Sequence, residues 1–242
     1  MTDKKPDTRG TRMSERVRNL FNERAKTWSG MYDPHQEMRW RLDEFHRALA
    51  KHLTPRARVL DFGCGTGNLA VHLFGQGYAV TGCDIADQML AEARQTMGEG
   101  KVVWMDLPAD WSRLPFGDGT FDGVVASSVL EYVEDLDLVG RELARVLRAG
   151  GILVISVPNP DHIRRRRERD FKRLVAPRWI RRLIGVVPRI RRYADYLDLS
   201  KNRFSPEHWQ QWAMQYGFHI LPTPPLARRH QSLLLLSFEK GG

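Results

Sequence analysis

Cysteine is scarce in this chain: Cys64 and Cys83 are the only two among 242 residues. Two thiols cannot build a disulfide scaffold, and with no second pair there is no zinc-finger spacing. They read as small, reduced interior residues of a cytoplasmic protein. Also missing is any run approaching the roughly 20 apolar residues of a membrane span. Met1-Thr2-Asp3-Lys4-Lys5-Pro6 lacks the apolar core of a secretory signal and reads as a disordered tail. No group of potential ligands has metal-site spacing, and no internal repeat is evident. The length suits one α/β domain with additions and falls short of two full domains.

Acidic side chains are in deficit, 29 against 38 Lys and Arg, but the deficit is local. Residues 161–192 hold thirteen Lys or Arg and three Asp or Glu, which leaves the remainder close to neutral. A general nucleic-acid coat would spread its charge. One basic segment points instead to one local anionic partner.

What is present starts at residues 59–67, Val-Leu-Asp-Phe-Gly-Cys-Gly-Thr-Gly. Val59 and Leu60 read as the end of a buried strand. Gly63, Gly65 and Gly67 permit a tight turn with no Cβ in a ligand's way, and residues 68–73 open a helix. Residues 78–84 then read as a second strand that ends in the Asp84 carboxylate. Together these describe a nucleoside-binding βαβ unit with the acid on the ribose hydroxyls. A nicotinamide dinucleotide and S-adenosylmethionine compete for such a unit. The dinucleotide turn is spaced Gly-x-Gly-x-x-Gly, whereas this one is Gly-x-Gly-x-Gly. Asp61, just before the turn, would repel a pyrophosphate but suits the ammonium group of a methionine tail. Asp106, ending a third strand in Trp104-Met105-Asp106-Leu107, can accept from an adenine amino group.

Then follow Leu114-Pro115-Phe116-Gly117-Asp118-Gly119-Thr120-Phe121-Asp122-Gly123-Val124-Val125 and Ser127-Ser128-Val129-Leu130-Glu131-Tyr132-Val133. With these segments the chain resembles the class I S-adenosylmethionine-dependent methyltransferases. The similar branch is the small-molecule one, which includes the ubiquinone, menaquinone, biotin-pathway and magnesium-protoporphyrin methyltransferases. The resemblance covers about residues 55–160. It implies an α/β, Rossmann-like fold: a seven-stranded, mostly parallel sheet with an antiparallel C-terminal strand and helices on both faces. It further implies that Asp61, Gly63, Cys64, Gly65 and Gly67 wrap the methionine part and that Asp84 holds the ribose. Ile85 and Met89 would pack near adenine, Asp106 and Leu107 would meet its edge, and Ser127 would lie near the sulfonium. S-adenosylhomocysteine would be the product. A module that only senses the cofactor, and a nucleic-acid methyltransferase, are the rival readings. The latter calls for an Asn/Asp-Pro-Pro-Tyr site where Ser127-Ser128-Val129-Leu130-Glu131 stands.

Methyl transfer from a sulfonium is an in-line displacement that needs positioning more than it needs a metal. A base or orienting group for the acceptor is sought at the carboxyl ends of strands. His162, Glu131 and Tyr132 are the candidates, with His162 first; His208, early in a helix, reads as a surface residue. Ser128, Trp28 and Tyr32 are candidates for the acceptor side. The run from Trp28 to Tyr32 suits a lid that excludes water, or else packs on the outer face of the sheet.

Four segments result. Residues 1–53 form a tail and helical lid, 54–160 a cofactor-binding core, 161–204 a basic helical insertion, and 205–242 a helix and strand pair that complete the core. Within the insertion, residues 177–188 place Trp179, Ile180, Leu183, Ile184 and Val187 on one helical face and Arg178, Arg181 and Arg182 on the other. Such a helix suits an anionic membrane surface, an acidic carrier protein or a phosphorylated ligand, or it caps the acceptor pocket as an ordinary surface helix. The acceptor expected is small and hydrophobic or anionic: a lipid, quinone precursor, tetrapyrrole or lipid-linked molecule methylated on oxygen. A carboxyl group on a carrier-bound acyl chain is the alternative. The location expected is cytoplasmic and membrane-peripheral.

Overall fold

The structure is a computed structural model that describes residues 8–28, 30, 39–97, 101–177, 179–180, 186–222 and 232–242. One sheet holds β1 (Arg58–Phe62), β2 (Ala79–Asp84), β3 (Val103–Asp106), β4 (Phe121–Ser127), β5 (Leu147–Pro158), β6 (Phe218–Ile220) and β7 (Leu233–Lys240). The order across it is β3-β2-β1-β4-β5-β7-β6. β1 to β5 pair in parallel, and β7 runs antiparallel between β5 and β6. This is the expected Rossmann-like sheet.

The helices are α1 (Thr8–Asn22), α2 (Ala25–Trp28), α3 (Arg39–Ala50), α4 (Asn68–Gly75), α5 (Asp87–Met97), α6 (Leu136–Val146), α7 (Ile163–Leu174), α8 (Pro188–Leu199) and α9 (Pro206–Met214). They cover both faces, and the strands are correspondingly apolar on both. Along β5, Leu153, Ile155 and Val157 enter one core while Ile152 and Val154 enter the other, since successive side chains alternate. The first core is closed by Val139 and Leu143 of α6 and Trp209 and Trp212 of α9. The second is closed by Leu42, Phe45 and Leu49 of α3 and Leu69, Ala70 and Leu73 of α4.

Local chemistry sets the helix starts. Asp135 accepts from the Leu138 amide at 2.8 Å and caps α6. Ser205 caps α9, with Pro206 in its first turn, as its sequence signals predict. The end of α6 differs from expectation. Gly150-Gly151 reads as a helix stop, yet α6 ends at Val146 and Leu147 is already extended, at φ −83° and ψ 133°. The glycines lie inside β5, where the register with β4 shifts between Phe121↔Leu147 and Gly123↔Ile152. Gly150, at φ 68°, accommodates the extra residues of that bulge.

The amphipathic pattern of residues 14–53 divides in space. α3 packs on the sheet, while α1 lies against α5 and α8 at the carboxyl ends of the strands. Val17 of α1 meets Tyr132 and Leu199 there. In the insertion α7 and α8 pack together, and Pro188 opens α8 rather than closing a preceding helix. Of the helical wheel over 177–188, residues 179 and 180 are helical; 178 and 181–185 lie outside the described residues, as do the N-terminal tail 1–7 and Tyr32.

Gly140 sits inside α6, where a Cβ would overlap the ring of Tyr216. Tyr216 is held there by donating its hydroxyl to Asp137 at 2.7 Å. Gly140→Ala should improve helix propensity by about 1 kcal/mol but lose about 1–3 kcal/mol to overpacking. The expected net result is a lower thermal unfolding midpoint by calorimetry, and a raised midpoint would show that Tyr216 yields freely.

Candidate active site

A cavity of about 760 Å³ opens at the carboxyl ends of β1, β2 and β4. Its floor is the glycine turn. The Gly63 and Cys64 amides donate to the Cys83 carbonyl at 2.8 and 3.0 Å, which ties the turn after β1 to the end of β2. Gly63 and Gly65 have φ of 70° and 54°, a left-handed backbone that favours glycine. A Cβ on Gly63 would strike Val129. Gly67 serves a different purpose from the one its motif suggests. A Cβ there would strike the indole of Trp104, which fills a slot between Gly67 and Gly82. The third glycine therefore makes room for a core side chain, away from the cavity.

Two carboxylates, Asp61 buried and Asp84 half-buried, line the cavity beside this turn. Asp84 accepts from the Gly65 amide and the Ala86 amide, each at 2.8 Å. Burial raises its pKa, and these bonds pull it back. Asp61 is 1 % exposed, and neither of its carboxylate oxygens has a hydrogen-bond partner. Burial first, and the nearby Asp84 second, push its pKa up to about 8; the Ala70 amide, outside hydrogen-bond geometry, only partly offsets them. An unsatisfied buried carboxyl is costly, and this one lines an open cavity, which suits a cation. The Cys64 and Cys83 thiols are also driven upward by burial and by these acids, so they stand as neutral lining groups and not as nucleophiles.

Ile85, Met89, Leu107 and Ser127 line the same cavity. Asp106 does not; its exposed carboxylate pairs with Arg94 of α5. Asp110 and Trp111, three and four residues beyond Leu107, do line it. Sequence reasoning passed over them, although their place just past the end of β3 was the available signal.

The cavity also has an aromatic and basic wall. Ring contacts run from Trp28 to Phe21 at 5.4 Å, Phe21 to Tyr132 at 5.0 Å, Tyr132 to Tyr196 at 6.2 Å and Tyr196 to Tyr193 at 6.4 Å. Arg24 lies over the Tyr196 ring, 5.1 Å from its centroid. Arg41, 2 % exposed, donates to Ser128 Oγ at 2.7 Å, and Ser128 itself has φ 57°. Arg24, Arg41, Arg164 and Arg165 all line the cavity. The cavity thus holds acids beside the turn and four arginines from the segment after α1, from α3 and from α7.

The three base candidates are placed differently. His162 caps α7, accepting through Nδ1 from the Arg164 amide at 3.3 Å, and it is not among the residues that line the cavity. Glu131 reaches the cavity but is buried; its carboxylate accepts from Ser200 Oγ, and its carbonyl from the Lys201 and Asn202 amides at 2.9 and 3.2 Å. Burial raises its pKa. Tyr132 is buried, and its phenol is pushed well above the ordinary value by burial and the adjacent Glu131.

A family model described as a methyltransferase domain matches residues 60–155. A malonyl-[acyl-carrier protein] O-methyltransferase of Legionella pneumophila is 30 % identical over 151 residues, covering 62 % of this chain and 52 % of the relative. A demethylmenaquinone methyltransferase of Thermus thermophilus is 39 % identical over 127 residues, covering 51 % and 56 %. The chain spans about half the length of these relatives. The crystal structure of magnesium protoporphyrin IX methyltransferase from Synechocystis PCC 6803 with bound SAM shares the fold, with a TM-score of 0.63, 18 % identity and coverage of 95 % and 97 %.

Asp61 gives a pH prediction. Its folded pKa of about 8 lies above the ordinary carboxyl value of 3.8, so the folded state binds the extra proton. Stability of the ligand-free protein should fall as pH rises from the ordinary carboxyl range to about 8 and then level off. Asp61→Asn should flatten that fall in denaturant titrations across pH; an identical slope in both proteins would refute the assignment.

Proposed function

We propose that this protein, whose residues 60–155 match a methyltransferase-domain model, moves a methyl group from S-adenosylmethionine to an oxygen of a small acceptor that is both hydrophobic and anionic. The single observation that carries the donor half is Asp61, a buried carboxyl without a hydrogen-bond partner beside the glycine turn. When bound, the donor supplies a methyl group on a cationic sulfur that departs as a neutral thioether. Asp61 would face its ammonium group, and Asp84, already aligned by two backbone amides, would accept from the ribose hydroxyls. Gly63, Cys64 and Gly65 would follow the methionine tail, while Ile85, Met89 and Leu107 would flank adenine. Asp106 would reach the adenine amino group on leaving Arg94, and Asp110 lines the cavity without such a move.

The acceptor half follows from charge. Ser127, Ser128 and Trp28 also line the cavity. An acceptor held by the aromatic wall, with its acid group toward Arg24, Arg41 or Arg164, is already ionised at neutral pH and needs no base. Catalysis then consists of holding an oxygen about 3 Å from the methyl carbon in line with the breaking bond, with water kept out. Glu131 and Tyr132 act in this reading as positioning residues. Glu131 fixes the segment after α8, and Tyr132 supports the aromatic wall. His162 shapes the start of α7. A carboxylate on a carrier-borne acyl chain is a second reading, favoured because Arg164 and Arg165 belong both to the cavity and to the basic segment. No described helix is long and apolar enough to cross a membrane, and we place the protein in the cytoplasm.

Calorimetric titration with S-adenosylmethionine tests the donor assignment. Loss of charge-assisted hydrogen bonds worth about 1.5–3 kcal/mol should weaken binding about 10- to 100-fold in Asp84→Ala and in the isosteric Asp84→Asn. Between about pH 6 and 7.5, below the titration of the ligand's own amino group, affinity should rise with pH as Asp61 ionises, by up to about tenfold per unit. Asp61→Asn should remove that rise. Unchanged affinity in both Asp84 variants would overturn the donor site.

A further inference from the structure

Elsewhere on the described surface, large exposed apolar side chains stand singly: Phe74, Val103, Met214 and Ile220. On the insertion they gather. Leu174, Trp179, Val186, Val187 and Ile190 all face solvent, Val186 at 81 % and Leu174 at 66 %. Exposed arginines lie among them in sequence, Arg166, Arg167 and Arg173 on α7 and Arg189, Arg191 and Arg192 on α8. The two helices form one unit, packed together with the Phe171 and Tyr193 rings 5.3 Å apart. Grouped apolar exposure of this kind marks an interaction surface.

We propose that the surface formed by α7, α8 and the described residues between them (175–177, 179–180 and 186–187) seats this protein on an anionic lipid bilayer. Trp179 and the aliphatic side chains enter the acyl boundary, and the surrounding arginines meet lipid phosphates. Charge alone would equally fit an acidic protein. What favours the bilayer is the exposure of several large apolar side chains among the arginines, which gains little on a hydrated acidic surface and much in an interface that accepts them. Seating is peripheral, since no described helix can span the bilayer. The same helices contribute Arg164, Arg165, Tyr193 and Tyr196 to the cavity. A lipid-dissolved acceptor would therefore pass from the bilayer to the cavity along one pair of helices. The proposal goes beyond the methyl-transfer reading and does not depend on it.

The test is co-sedimentation of the full chain with phosphatidylcholine vesicles, with and without phosphatidylglycerol, at low and high salt, without methyl donor. Binding is expected with phosphatidylglycerol at low salt and should weaken at least tenfold at high salt. A charge variant, Arg166→Glu with Arg167→Glu and Arg173→Glu, should bind at least tenfold more weakly. An apolar variant, Trp179→Ser with Val186→Ser and Val187→Ser, should lose binding to a similar degree while keeping every charge. Circular dichroism and S-adenosylmethionine titration check that both variants remain folded. Absence of sedimentation at low salt overturns the proposal. So does full binding by the apolar variant, which would reveal a purely electrostatic surface suited to an acidic protein. Because vesicle binding is read without turnover, its failure leaves the donor site intact, and a failed donor titration leaves vesicle binding intact.

Discussion

The arrangement depends on keeping a carboxyl group dry and unpaired at the end of a central strand. β1 lies between β2 and β4, so Asp61 is covered on both sides. Asp84, at the tip of the neighbouring strand, raises its proton affinity further. A structural role would have supplied Asp61 with a donor, as the backbone supplies two to Asp84. The chain instead bears the cost of an unsatisfied group. The glycine turn, its tie to Cys83 and the roof of α1 and Trp28 keep the space in front of that group open yet sheltered.

Most of the core was legible because its signals are local. Apolar runs such as Ile152–Val157 mark strands covered on both faces, and Ser205-Pro206 marks a helix start whatever surrounds it. The bulge in β5 was not legible. Gly150-Gly151 after an amphipathic helix has the same local signature whether it ends the helix or accommodates extra residues in a strand, and only pairing with β4 decides. The glycine motif was legible in outline and misleading in detail. Gly63 belongs to the cavity, but Gly67 answers to Trp104, a residue far away in sequence.

The acceptor end was the least legible, since it is assembled from distant pieces. Phe21 and Arg24 come from α1, Arg41 from α3, Tyr132 from the turn after β4, and Tyr193 and Tyr196 from α8. No spacing rule connects them. Glu131 shows the difficulty well. As a carboxylate just after a strand it invites a catalytic role, yet its bonds run to Ser200, Lys201 and Asn202. Asn202 strengthens the same junction by donating to the Leu130 and Val133 carbonyls at 2.8 and 2.7 Å. Beyond it, Arg203 donates to Glu168, which Arg165 also meets, both at 2.8 Å.

The pairing of β5 with β7 has a consequence for how such a wall can change. Pro158 lies opposite Leu233, and α9 and β6 return the chain to the core and the sheet, so the helical insertion between β5 and α9 is an excursion whose ends are already fastened. The entropy of closing a loop grows only with the logarithm of its length. Residues can therefore be added to or removed from the helical insertion at little cost to the sheet, so long as the junction at Glu131 survives. The half that grips the donor and the half that selects the acceptor are thus free to diverge at different rates.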